Sequence, residues 1–359
     1  MTAIEWLETL SPWPTDGFGT DRMRDLLMRL DDPQLAYPSI HVVGTNGKTT
    51  TTRAAARLLR LEGLHVGAYT SPHVRGWAER IQVDEQDADL EGALAEVRDD
   101  AEVLGATQFE VITAAALASF KHASVDVAVV EAGLGGRHDA TNVLHSPVQV
   151  LTNVSLEHTG VLGDTREAIA AEKLAVVQRG ATVVVGEPEW EELARANGAA
   201  RVVVEPGGNV ALARAAASAF LGRRVEHEVG DLRLPGRLER RGNELWDGAH
   251  TPAGVEYLSR RLDDRRYVLC VSILADKDVD AMLAALSHLG DTIVATRSSN
   301  PRALSAEELA ARAEPYFQHV EAVEEADAAR ARARELAGRE GDVLVTGSLY
   351  LLADLSARE

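Results

Sequence analysis

Cysteine is all but absent from this 359-residue chain: Cys270 stands alone, which excludes an intrachain disulfide and a thiolate metal centre. It lies in the apolar run Tyr267-Val-Leu-Cys-Val271, where a buried structural thiol is expected rather than a nucleophile. Positive charge is also scarce, with 37 Lys and Arg against 56 Asp and Glu and a net charge of −19. So acidic a chain repels phosphate backbones and anionic lipid, so neither nucleic acid nor a membrane is expected as a partner. A local basic pocket for phosphates remains compatible with that average. No apolar run approaches about 18 residues, so no membrane span is expected. The N-terminus, Met1-Thr-Ala-Ile-Glu-Trp6, lacks the basic-then-apolar pattern of a secretory signal, and a cytoplasmic protein is the expectation. Fixed-period repeats and low-complexity linkers are missing too.

What is present belongs to a globular α/β protein. The length allows two or three domains at roughly 150 residues each. Short apolar runs read as strands at Ser39–Val43, Val125–Glu131, Val148–Asn153, Thr182–Val185, Glu244–Trp246, Tyr267–Val271, Thr292–Ala295 and Val343–Thr346. Ala- and Leu-rich stretches between them read as helices at Thr49–Glu62, Phe109–Lys121, Arg166–Gln178, Val210–Leu221, Ala253–Leu262 and Ala306–Arg312. Buried strands joined by helical crossovers predict parallel sheets covered on both faces. A polar Gly- and Pro-containing stretch, Gly230–Arg240, divides two such series and predicts domains over 1–230 and 231–359.

The strongest local pattern is Ile40-His-Val-Val-Gly-Thr-Asn-Gly-Lys-Thr-Thr50. A strand runs into Gly44, Thr45, Asn46, Gly47, Lys48, Thr49 and Thr50, and a helix follows at once. Glycines let successive backbone N–H groups point at one anion, and the helix N-terminus adds partial positive charge. Lys48 would neutralise terminal phosphates and the Thr49 hydroxyl would ligate Mg²⁺. The usual spacing asks for glycine where Val42 stands, so this is a shorter variant of the loop.

With these residues go further ordered blocks: Gly19-Thr-Asp-Arg-Met-Arg-Asp-Leu-Leu27, Thr70-Ser-Pro-His-Val74, Glu79-Arg-Ile81 and Gln108-Phe-Glu-Val-Ile-Thr113. Val130-Glu-Ala-Gly-Leu-Gly-Gly-Arg-His-Asp-Ala-Thr-Asn-Val143 is the most specific. Leu151-Thr-Asn-Val-Ser-Leu-Glu-His158, Ile169-Ala-Ala-Glu-Lys173, Leu234-Pro-Gly-Arg-Leu238, Asp247-Gly-Ala-His-Thr-Pro252 and Ala275-Asp-Lys-Asp278 complete the series. In type and order they resemble the Mur ligase superfamily, and within it the folylpolyglutamate synthase/dihydrofolate synthase branch. The likeness covers nearly the whole chain.

That resemblance implies an N-terminal phosphate-loop ATPase domain and a smaller Rossmann-like C-terminal domain, closing on each other to exclude water. It implies an ATP-dependent ligase that makes an acyl phosphate, which the amino group of L-glutamate then opens. Thr49 and Glu131 would hold one Mg²⁺, and Ser71, Glu131 and His158 another. On its own His158 reads as a loop histidine; its block is what suggests a ligand. Lys173, otherwise a solvated helical lysine, matches a family lysine that is carbamylated and so becomes anionic. Arg237 would reach the ATP phosphates, Asp247 a ribose hydroxyl, and His250 the γ-phosphate and incoming amino acid. Asn209 matches a residue contacting adenine, against the plainer reading of a helix cap. Substrates would be a folate or other carboxylate and L-glutamate, and the protein is expected to be a monomer.

The pattern departs from the folate branch in four places. Thr49-Thr50 stand where that branch has Gly-Ser, Glu157 replaces the usual Asp, Thr251 the usual Asn, and the segment 186–208 is short. These leave open a Mur-type ligase acting on a non-folate carboxylate, and, in another class, a non-catalytic nucleotide-binding homologue. Retention of Lys48, Glu131, His158 and Lys173 together argues against the latter, since a scaffold needs no metal pair.

Overall fold

The structure, a computed structural model, describes residues 1–15, 17–263 and 265–357. The chain divides into two compact units: Met1–Pro72 with Trp77–Leu232, and His73–Gly76 with Arg233–Glu359. Among the described residues no helix is long and apolar enough to cross a membrane.

In the first unit, α1 (Ala3–Thr9) and α2 (Asp21–Arg29) precede β1 (Ser39–Val43), which leads into α3 (Lys48–Leu61) and β2 (Val66–Tyr69). A hairpin of β3 (Ile81–Val83) and β4 (Gln86–Asp87) follows, then α4 (Leu90–Leu104), α5 (Gln108–His122), β5 (Val127–Glu131) and β6 (Val148–Leu151). The unit continues through α6 (Thr159–Leu162), α7 (Arg166–Leu174), β7 (Thr182–Val185), α8 (Glu191–Ala196), β8 (Arg201–Val204) and α9 (Asn209–Leu221). One sheet results, in the order β4-β3-β2-β5-β1-β6-β7-β8, parallel from β2 to β8 and antiparallel at the β2–β3–β4 edge.

Residue alternation assigns the two faces. On β5, Ala128 and Val130 join the core formed with α4 and α5, while Val127 and Val129 join the core formed with α3 and α9. Inner strands such as β5 are apolar on both sides because both sides are covered, as a parallel sheet requires. Helix α5 starts on a reciprocal cap: Glu110 N–H donates to Thr107 Oγ1 and Thr107 N–H to Glu110 Oε2. Glu110 also receives Arg22 of α2 at 3.0 Å, which ties that helix to the bundle.

The second unit contains β9 (Glu239–Arg241), β10 (Glu244–Trp246), α10 (Pro252–Ser259), β11 (Tyr267–Val271), α11 (Val279–Leu286) and β12 (Thr292–Ala295). Then come α12 (Ala306–Ala313), β13 (His319–Ala322), α13 (Ala326–Ala337), β14 (Asp342–Thr346) and α14 (Leu349–Ser356). Their sheet has the order β13-β12-β11-β14-β10-β9, with only β9 antiparallel. Leu269, Ile293 and Leu344 face one core and Cys270, Val294 and Val345 the other. Cys270 is fully buried and its thiol is pushed up to about 12 by that burial, so it is structural, as its apolar run implies.

Several elements differ from the sequence reading. The helix carrying Lys173 ends at Leu174 rather than Gln178, which puts the lysine in its last turn. Strand β2 was not expected, because Gly67 and Ala68 weaken its apolar pattern. A side chain at Gly67 would strike the Phe120 ring, 2.6 Å from Cδ1, so packing selects a residue of low strand propensity. Edge strands β4, β8, β9 and β13, and the short β3 beside β4, also lack long apolar runs, since the margin of a sheet is only partly covered.

Candidate active site

At the end of β1 the chain turns through Gly44–Gly47 into α3. Gly47 has φ +81°, and a Cβ there would lie 2.3 Å from Asn209 Oδ1. At Gly44, with φ +145°, a Cβ would lie 1.9 Å from Thr152 Oγ1. Both positions require glycine for backbone handedness and for space. Asn209 is the first residue of α9 rather than its cap, and its side chain lies against the loop.

Segment 152–155, just beyond β6, braces the loop. Asn46 O accepts from Thr152 Oγ1 at 2.7 Å and Asn153 Nδ2 at 3.0 Å, and Asn46 N–H donates to Asn153 Oδ1 at 3.0 Å. Thr45 N–H donates to Asn153 O at 2.9 Å, and Thr45 Oγ1 accepts from Ser155 N–H at 3.0 Å. Thr50 lies half-buried in the first turn of α3.

Two lysines converge on one carbonyl. Gly44 O accepts from Lys48 Nζ at 3.0 Å and from Lys173 Nζ at 2.9 Å, and Lys48 also reaches Thr45 O at 3.1 Å. Lys173 pairs with Glu157 at 2.8 Å, their side chains 2% and 10% exposed. Burial lowers the Lys173 ammonium and outweighs the raising effect of Glu157. For Glu157, burial alone would raise the carboxyl, but Lys173, Lys48 and His158 together hold it down at about 2. The two directions pull oppositely on one ion pair. The geometry favours the charged pair, because Nζ keeps a carboxylate and a carbonyl as acceptors. His158 follows directly, at φ +46°, heading the short helix α6.

Glu131, 1% exposed, ends β5 between β1 and β2. Its Oε1 accepts from Thr49 Oγ1 and its Oε2 from Ser71 N–H, both at 3.1 Å. Three adjacent strand ends thus supply the loop, the carboxylate and Ser71, at the edge where open parallel sheets bind ligands. Among the described residues no group of three or more His, Cys, Asp or Glu is placed to hold a metal. A buried carboxylate with hydroxyls around it is a different donor set. It fits a hard divalent ion that keeps much of its water, such as Mg²⁺.

One buried relay was not singled out in the sequence. Thr141 Oγ1 donates to Asp139 Oδ1 at 2.5 Å and lies 2.7 Å from His41 Nε2, while Asp139 Oδ2 accepts from Leu134 N–H at 2.7 Å. Burial lowers His41 to about 4 and raises Asp139. The group supports the Gly133–Gly136 turn that follows Glu131. Its signal was present, since Asp139 and Thr141 sit in the most specific block and His41 in the strand before the loop.

In the second unit, the turn before β9 that carries Arg237 lies against the turn after β10 that carries Asp247 and His250, with Gly248 N–H donating to Gly236 O at 2.9 Å. Asp247 accepts from Leu238 N–H and Ala249 N–H, each at 2.9 Å, so it first of all shapes the turn. Burial raises its carboxyl and Arg237 opposes that. Arg237 Nη1 donates to Gly236 O at 3.0 Å, and His250 Nδ1 lies 2.7 Å from Gly248 O. Thr251 caps α10 by accepting from Gly254 N–H at 3.1 Å, a role that Asn fills equally well.

A strand–glycine loop–lysine–helix unit with a buried carboxylate on the neighbouring strand tip defines a nucleotide-binding α/β protein. Comparison with known proteins makes this specific. Residues 42–203 match the family model described as Mur ligase middle domain, and residues 236–349 that described as Mur ligase, glutamate ligase domain. A dihydrofolate synthase/folylpolyglutamate synthase of Mycobacterium tuberculosis is 33% identical over 82% of this chain and 77% of its own length. The Escherichia coli protein of the same name is 30% identical over 98% and 93%. The M. tuberculosis folylpolyglutamate synthase complexed with ADP superposes with a TM-score of 0.89 at 30% identity, covering 99% of this chain and 97% of that one. A bifunctional folylpolyglutamate synthase/dihydrofolate synthase with Mn, AMPPNP and L-glutamate bound gives 0.88 at 29% identity, over 100% and 98%. The chain belongs to the Mur ligase family, in its folylpolyglutamate synthase/dihydrofolate synthase branch.

Proposed function

We propose that this chain is an ATP-dependent folylpoly-γ-glutamate synthase, with dihydrofolate synthase activity as a second capacity of the same site, working in the cytoplasm. The observation that carries the reading is the buried Glu131 carboxylate, bonded to Thr49 and Ser71 beside the Lys48 loop. A substrate carboxylate oxygen attacks the γ-phosphorus of ATP and ADP leaves. The glutamate amine then attacks the acyl carbon and phosphate leaves. Such chemistry is mostly positioning and neutralisation of charge.

In this proposal the Gly44–Thr50 loop cradles the phosphates, and Lys48 gives up its loop carbonyls for a phosphate oxygen. Thr49, Ser71, Glu131 and His158 would hold Mg²⁺, which neutralises charge on the transferred phosphoryl group. Asn209, lying against Gly47, would contact the adenine side of the nucleotide. Arg237 is assigned to phosphate, Asp247 to a ribose hydroxyl through its remaining lone pairs, and His250 to the incoming amino acid. Lys173 is assigned to charge balance at the metal, either as the ammonium paired with Glu157 or, after carbamylation, as an anion.

The test is ADP release with tetrahydrofolate, dihydropteroate and unrelated carboxylates, each offered with glutamate and other amino acids. Turnover with a folate and glutamate is expected, and Lys48→Ala should lower it by a factor of about 100 or more with thermal stability retained. Turnover only with a non-folate acid would reassign the substrate. Undiminished turnover in Lys48→Ala would overturn the site.

A further inference from the structure

We propose that Arg53 is a positioning residue that sets Ser71 against Thr49 and Glu131, and through them shapes the divalent-ion site. This rests on the metal-site reading above. Arg53 lies on α3 five residues beyond Lys48, and only 8% of it is exposed. Its Nη2 donates to Thr70 Oγ1 at 2.8 Å and to the Glu79 carbonyl, and its Nη1 to Gln82 Oε1. Thr70 leaves β2 and Gln82 lies in β3, paired beside it, so one planar guanidinium holds both ends of segment 70–82.

The consequence is a closed ring. From α3, Arg53 fixes Thr70; the next residue, Ser71, donates its N–H to Glu131 Oε2; Glu131 Oε1 accepts from Thr49; and Thr49 is back on α3. Each bond alone leaves the Ser71 segment a soft degree of freedom. Closing the ring on the rigid helix removes it, as ligands of a metal site require from the groups behind them. An ammonium on a flexible stem could match the charge of Arg53 but not the three-way fork.

The sign of the effect separates this role from a simple electrostatic one. Arg53 is a cation near a cation site, so if it acted by charge alone its removal would tighten metal binding. As a positioning residue, its removal weakens it. The test is titration with Mn²⁺, read from the paramagnetic resonance of the free ion, on the full chain with AMPPNP present. Arg53→Met is expected to weaken Mn²⁺ binding about tenfold and Thr70→Val about threefold, with AMPPNP binding in the absence of metal unchanged. Arg53→Lys should resemble Arg53→Met. If Arg53→Met does not fold, Thr70→Val decides the matter. Wild-type or tighter Mn²⁺ binding in either folded variant overturns the proposal. Glu131→Gln runs alongside: if it keeps wild-type Mn²⁺ affinity, the metal-site reading itself fails, whereas its loss beside an unaffected Thr70→Val sinks only the role of Arg53.

Discussion

At the scale of single residues, the site is made of groups whose surroundings decide their chemistry. Lys173 is legible in the sequence only as a lysine in a helix; the fold buries it against Glu157 and Gly44 O. Glu157→Gln should therefore cost about 3 kcal/mol in urea unfolding at pH 7, because it leaves a buried ammonium without its counter-charge. That loss should shrink as pH rises, since an unpaired Lys173 sheds its proton more readily when folded than unfolded. No change in stability would mean that the pair is dispensable. His41 titrates with a sign of its own. Held neutral down to about 4, against an ordinary 6.5, it lets the unfolded chain bind a proton that the folded chain refuses. Its contribution is intact above pH 6.5 and lost as pH falls towards 4, up to roughly 3 kcal/mol in all. His41→Gln should flatten that part of the stability–pH curve; an unchanged slope would assign it to other groups.

At the scale of elements, β10 and α13 are joined by a buried ion pair. Glu244, fully buried, accepts from Arg330 Nε at 3.0 and 2.9 Å, from Trp246 Nε1 at 2.7 Å, and from Arg334. Burial would raise its carboxyl, and the Arg330 and Trp246 hydrogen bonds with the neighbouring charges reverse that. Glu244→Gln is expected to lower the stability of the second unit by about 3 kcal/mol, while Glu244→Leu combined with Arg330→Met should recover much of it. Hydrogen exchange in β10 and β14 reads both outcomes, and equal losses in the single and double variants would refute the pairing argument. Central strands such as β7, β11 and β12 were legible because residues covered on both faces make continuous apolar runs. The Leu90–Leu104 and Ala326–Ala337 helices were not anticipated. The first keeps a stripe of Leu90, Ala93, Leu94, Val97 and Ala101 at helical spacing, which a closer reading of the period would find. The second buries only alanines with Arg330 among them and so shows a weak apolar face.

At the scale of the whole molecule, the net charge of −19 sets a self-repulsion that no single residue carries. Raising salt from about 0.01 to 0.15 M, where the Debye length falls from roughly 30 to 8 Å, should raise the thermal midpoint by a few degrees. A falling midpoint would mean that favourable ion pairs outweigh the net repulsion. The family, the strand–glycine loop–lysine–helix pattern and the parallel α/β class follow from the sequence by itself, because glycine spacing, apolar runs and ordered motifs are local properties of the chain. Tertiary structure alone decided that Thr49 and Ser71 meet on Glu131, that Lys48 and Lys173 share the Gly44 carbonyl, and that Arg53 closes the ring behind them. Those meetings depend on strand order: β2, β5 and β1 lie side by side although their residues are far apart in the chain, and no local pattern encodes which strand ends become neighbours.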